Sequence, residues 1–185
     1  KGIDIRTVGS GNIGATNVFR AVGRGWGILT FACDVLKGFL PVWLLPLLAA
    51  RWLEPTPISS HLPLILAALA IAGHNWPVYL GFKGGKGIAT SAGVLLGVAP
   101  ACVLWGLFGW LFLFLATRYV SAASIGAALT VAGSSWCFYL PQDPFLPATL
   151  TVLAIIAVWR HRGNIQRLLN GTERRASFPW QNKPT

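Results

Sequence analysis

From Trp26 to Trp52 nearly every side chain is apolar, and a helix of that length would reach roughly 40 Å, more than the ~30 Å hydrocarbon core of a bilayer. Such a run has to be shielded inside a large soluble core or placed in lipid, and composition decides between them. Of 185 residues, 54% are hydrophobic and only 11% charged, nine are tryptophan, and the mean hydropathy is +0.60. A soluble core cannot absorb so much apolar surface in so short a chain, so the expectation is an all-α, polytopic integral membrane protein forming one transmembrane domain over residues 1–185. The net charge of +10 would suit nucleic acid only on a polar, solvated groove. Here the charges punctuate apolar runs, so no nucleic-acid partner is expected.

Further runs extend over Leu62–Leu80, Ile125–Leu140 and Phe145–Trp159, with Pro41 and Pro46 expected to kink the first one and polar turns at Arg51–His61 and Pro141–Pro144. Ile88–Thr117 is too long for one span and too short for two. Pro100 resolves the length by breaking it into a half-helix, Ile88–Val98, and a full helix, Ala101–Thr117, joined to the next span by a polar link, Arg118–Ser124. If that broken helix enters the membrane and returns as a hairpin, 13 of the 15 Lys and Arg lie on one side, all except Lys37 and Arg51. A single crossing would instead place Arg118 and the basic tail opposite the other polar motifs. The positive-inside rule selects the hairpin and makes the basic side cytoplasmic.

Three polar segments gather on that side. Gly81-Phe82-Lys83-Gly84-Gly85-Lys86-Gly87 combines four glycines with two lysines, which suits backbone donors and fixed charge around an anion such as phosphate. Residues 1–24 include Ser10-Gly11-Asn12-Ile13-Gly14-Ala15-Thr16-Asn17, then Arg20 and Arg24. Gly9, Gly11 and Gly14 fit G-x-G-x-x-G, yet no strand precedes them and no βαβ unit follows, so a short helix opening from a polar loop is expected instead of a dinucleotide fold. The tail carries Arg160-His161-Arg162-Gly163-Asn164-Ile165-Gln166-Arg167-Leu168. Within the apolar runs, Asp34 and Lys37 at i, i+3 should pair or face a polar cavity, and His74 leads directly into the lysine loop. Cys33, Cys102 and Cys137 stand singly, with no metal-binding or disulfide spacing. Triad, Walker and metal-cluster patterns are missing. So is H-x-x-x-x-D, because Leu66, Tyr79 and Gln166 follow His61, His74 and His161 at that distance.

The segments at 10–17, 73–90 and 160–168 resemble, in order and spacing, the three motifs of the bacterial acyl-phosphate:glycerol-3-phosphate acyltransferases. The resemblance covers essentially the whole chain. It implies a seven-helix enzyme of the bacterial inner membrane whose first helix would precede Lys1, with its active site on the cytoplasmic face. It also implies transfer of a fatty acyl group from acyl phosphate to the 1-hydroxyl of glycerol 3-phosphate, giving lysophosphatidic acid, the first step of phospholipid synthesis. The partners implied are those two substrates, the lipid bilayer and the soluble phosphate acyltransferase that supplies the donor; no cofactor and no metal are expected.

Family match and side-chain chemistry together assign Ser10, Asn12, Thr16, Asn17, Arg20, Lys83, Gly84, Gly85 and Lys86 to substrate phosphate. Ser124, His161 and Asn164 are assigned to glycerol phosphate and its attacking hydroxyl, with His74, Lys37 and Asp34 in support. Two rivals are weaker. A phosphate-solute transporter would show an internal repeat, and only Asn12-Ile-Gly-Ala-Thr against Lys86-Gly-Ile-Ala-Thr hints at one. A scaffold would leave the clustered polar motifs unexplained.

Overall fold

The computed structural model describes residues 2–52, 54 and 56–176, and among these every regular element is helical. The elements are α1 (Ala15–Ala21), α2 (Arg24–Trp52), α3 (Pro57–Ser60), α4 (Leu62–Asn75), a 3-10 turn (Val78–Leu80), α5 (Ile88–Val98), α6 (Pro100–Thr117), α7 (Val120–Tyr139), α8 (Phe145–Arg160) and α9 (Arg162–Leu169). Among the described residues, four segments are long and apolar enough to cross a membrane: Arg24–Trp52, Leu62–Leu80, Pro100–Thr117 and Val120–Tyr139. On α6, Leu104, Phe108, Phe112 and Leu115 are all exposed, a stripe at helical spacing that is stable only against lipid.

The break before Pro100 is present. Ala99 leaves helical geometry at φ −150°, ψ 62°, as expected of a residue preceding proline, and α5 ends at Val98 after about 16 Å of rise, short of a span. α2 contains both Pro41 and Pro46, the expected kink positions, within one helix. Two boundaries differ from the sequence expectation. α4 stops at Asn75, because Pro77 holds Trp76 out of the helical region at φ −134°, and only a 3-10 turn continues to Leu80. α7 starts at Val120, so Ser121 and Ser124 belong to a helix where a polar link had been expected. The turn is confined to Arg118, at φ 61°, and the extended Tyr119, and Ser124 hides its hydroxyl by donating to Val120 O at 2.8 Å, which makes serine tolerable in an apolar helix.

The contacts separate into two compact units, Lys1–Pro100 and Ala101–Thr185. In the first unit α2 and α5 pack through small residues: a methyl on Gly38 would strike the Thr90 carbonyl, one on Gly93 the Val35 carbonyl, and one on Gly97 the Val42 side chain. Gly38 lies between Thr90 and Val94 while Val42 and Trp43, further along α2, meet Gly97, further along α5, so the two helices run parallel with backbones in close contact, the usual way helices associate where lipid removes the hydrophobic drive. α1 docks on the start of α2, where Gly27 leaves room for Phe19. In the second unit Gly106 meets Val131, Gly109 meets Thr130 and Gly126 meets Leu113. Those numbers run in opposite senses, so α6 and α7 are antiparallel.

Candidate functional site

In the first unit the lysine loop is moulded on the end of α4. Gly84 N–H donates to Asn75 O at 3.2 Å and Gly85 N–H to His74 O at 3.1 Å, which satisfies carbonyls that the last turn of a helix leaves without partners. In this structure the N–H groups of Gly84 and Gly85 donate to α4, and their lack of side chains is what the packing uses. A Cβ on Gly85 would overlap the His74 ring, and one on Gly87 would lie 2.9 Å from Asn75 Oδ1. Gly87, at φ 81°, then opens α5, with Lys86 half-buried beside it and Lys83 exposed.

Asp34 and Lys37 on α2 form the expected ion pair. Asp34 is itself buried and also faces His74, with its Oδ1 3.5 Å from Nδ1. That distance allows charge attraction without an aligned hydrogen bond, so Nδ1 remains without a hydrogen-bond acceptor, as do the buried amide of Asn75 and hydroxyl of Thr90.

The N-terminal loop is knit by Asn17. Its Oδ1 accepts from Ser10 N–H at 2.9 Å, and its Nδ2 donates to the carbonyls of Ile5, Val8 and Asn12 at 3.2, 3.0 and 2.9 Å. With these bonds and its side chain buried, Asn17 holds the loop together. Asn12 Oδ1 accepts from Gly14 N–H at 2.8 Å, closing the turn into α1. Thr16 and Arg20, both exposed, share one face of α1 at i, i+4 spacing, and Ser10 is exposed at the loop's surface.

In the second unit His161 ends α8 and begins α9, is buried, and its Nδ1 lies 2.8 Å from Ala157 O. A carbonyl only accepts, so Nδ1 carries hydrogen and the lone pair of the neutral ring sits on Nε2. Asn164, buried one turn later, donates from Nδ2 to Glu173 Oε1 at 2.7 Å. Ser121 Oγ donates to the same oxygen at 2.7 Å and Arg167 Nε to Oε2 at 2.7 Å. Ser124 lies one turn further along α7, its proton committed to Val120 O.

Glu173 and Ser121 are the residues that sequence reasoning passed over. Glu173 is one of five acidic residues in the chain and stands inside a basic tail, which was the available signal. Burial raises its carboxyl, but hydrogen bonds from Ser121, Asn164 and Arg167 more than offset this and hold it below the ordinary 4.5. A carboxyl depressed by folding contributes stability that is present above 4.5 and is lost as pH falls through the folded value. Glu173→Ala should remove roughly 1 to 3 kcal/mol, the cost of leaving the buried Ser121 and Asn164 donors without their acceptor, and acid should destabilise the unaltered protein more than this variant. Thermal unfolding in lipid at pH 7 and below pH 4.5 checks both; equal acid sensitivity would show that Glu173 does not carry this dependence.

The family model described as glycerol-3-phosphate acyltransferase matches residues 1–171. The glycerol-3-phosphate acyltransferase of Erythrobacter litoralis is 43% identical over 98% of this chain and 83% of its own length, and that of Aquifex aeolicus is 42% identical over 95% and 86%. A crystal structure of PlsY (YgiH), an integral membrane glycerol 3-phosphate acyltransferase, in its glycerol 3-phosphate form superposes with TM-score 0.83 at 40% identity, over 95% of this chain and 84% of that one. Its lysophosphatidic acid form gives 0.79 at 38%, over 91% and 81%.

Proposed function

We propose, from the premise that the chain belongs to the glycerol-3-phosphate acyltransferase family and is an integral membrane acyltransferase, that it moves a fatty acyl group from acyl phosphate to the 1-hydroxyl of glycerol 3-phosphate. The observation that carries this reading is likeness over 95% and 91% of the chain to structures in glycerol 3-phosphate and lysophosphatidic acid forms, the acceptor and the product of such a transfer. The donor follows from the chain's own chemistry. Acyl phosphate is a mixed anhydride whose phosphate leaves readily, so no protein nucleophile is needed, and none is evident in the polar motifs. The acceptor oxygen bonds to the acyl carbon, the carbon–oxygen bond to phosphate breaks, and the hydroxyl proton leaves with the phosphate, whose second pKa of about 6 lets it accept that proton near neutral pH.

What remains for the protein is positioning and fixed charge. Lys86, Arg20, Ser10 and Thr16 supply cationic and hydroxyl donors for phosphate, with Lys83 and Asn12 beside them. His161 offers Nε2 to the attacking hydroxyl, and Asn164, fixed through Glu173, aids its alignment; Ser124 can accept a hydrogen bond from glycerol phosphate. The concentration of Lys and Arg on one side supports placing these motifs at the cytoplasmic face of the bacterial inner membrane, within reach of a soluble phosphate acyltransferase that makes the donor.

Purified protein in lipid, given glycerol 3-phosphate, should form lysophosphatidic acid with acyl phosphate and not with acyl coenzyme A or acyl-carrier protein. Comparable turnover with acyl coenzyme A would overturn the donor assignment.

A further inference from the structure

Two buried groups set the shape of the lysine loop without belonging to it. His74 is 6% exposed and Asp34 7%, so neither is open to solvent. The His74 ring stands between two neighbours: Nδ1 faces Asp34 Oδ1 at 3.5 Å, and Nε2 occupies the place where any side chain on Gly85 would go. The backbone of the same residue accepts the Gly85 N–H at 3.1 Å. Residue 85 is therefore held by His74 on two sides, and Lys86 follows it by one peptide. Asp34 is anchored in turn by Lys37 on α2, and α2 packs directly on α5 through Gly38 and Gly93. An ionisable pair at this depth is costly in a membrane protein, and a lone structural ion pair between Asp34 and Lys37 would not need a histidine ring pressed between the carboxylate and a glycine.

We propose that His74, oriented by Asp34, is a positioning residue for the transfer reaction: it is the template against which Gly84–Gly85 is moulded, and it thereby sets where the Lys86 ammonium stands. The two glycines are required by this template, because any larger residue at 85 would push the loop off the ring. Asp34 acts on the loop only through His74.

The inference rests on the reading of Lys86 as a phosphate ligand, and a double-mutant cycle separates the two. Gly85→Ala and His74→Ala, each made in the whole protein in lipid, should raise KM for the substrate whose phosphate Lys86 holds by about tenfold, a sub-ångström shift costing less than the roughly 10²-fold of a 1 Å misplacement. Independent effects would multiply to about a hundredfold in the double variant. Removing the ring makes room for the new methyl, so the double variant should instead stay near tenfold or improve on Gly85→Ala alone. Asp34→Asn, which keeps the side chain's size and an acceptor for Lys37, should raise the same KM while leaving kcat within about twofold.

Loss of folded protein would lower apparent kcat and leave KM unchanged, and thermal unfolding of each variant identifies it. Multiplicative effects in the double variant, or an unchanged KM in His74→Ala and Asp34→Asn, would overturn the template while Lys86→Ala still raised KM. If Lys86→Ala also left KM unchanged, the phosphate reading itself would fall.

Discussion

Lys86→Ala and Arg20→Ala should each lower kcat/KM by about tenfold to a hundredfold or more, because a hydrogen bond to a charged group contributes roughly 1.5 to 3 kcal/mol and both residues are read as holding substrate phosphate. The two differ in their support. Lys86 is half-buried, follows a residue packed on the His74 ring and precedes Gly87, which opens α5, so an anion held there would also meet the positive end of that helix. Arg20 is exposed on a seven-residue helix that docks on α2 where Phe19 packs on Gly27. Its loss should therefore be the smaller of the two in ground-state binding and more easily relieved by Arg20→Lys. Steady-state kinetics against each substrate checks this. Near-normal kcat/KM in both alanine variants would move the phosphate site elsewhere.

The architecture was largely legible because lipid imposes strict rules on length and polarity. The Pro100 break and the half-helix at Ile88–Val98 follow from residue counts and proline chemistry, the short helix that opens from the N-terminal polar loop follows from its small polar residues, and the structure has each of them. What the sequence could not distinguish was the use made of a glycine. Gly84 and Gly85 read equally well as bare backbone donors or as room for a neighbour, and only the contacts with His74 and Asn75 reveal the second use. Asn17 is a related case: an amide near an anion motif reads as a ligand, and nothing local in the sequence announces the bonds by which it knits its own loop. Ser121 was hidden by reading small hydroxyl residues as a link. Glu173 was hidden by distance, since its bond to Ser121 joins positions 52 apart in the chain and no local pattern announces it.

His161 carries the other large expected effect. The attacking hydroxyl must lose a proton, and a histidine base would normally be oriented by a third group that also favours the protonated ring, a carboxylate above all. Glu173 is the nearby carboxylate, yet its two oxygens are taken by Ser121, Asn164 and Arg167, and the group on His161 Nδ1 is the neutral carbonyl of Ala157. That carbonyl fixes the tautomer and ring direction without adding negative charge. The arrangement favours Nε2 as an acceptor that aligns the hydroxyl, with the departing phosphate taking the proton. His161→Gln and His161→Asn, which keep a donor and an acceptor, should then retain far more activity than His161→Ala, and the acidic limb of the pH–rate profile should persist in both because it belongs to the substrate. The contrary outcome is distinct: Gln, Asn and Ala variants equally reduced by roughly 10² to 10⁴, with the acidic limb gone, would make His161 the general base and confine the phosphate to the role of leaving group.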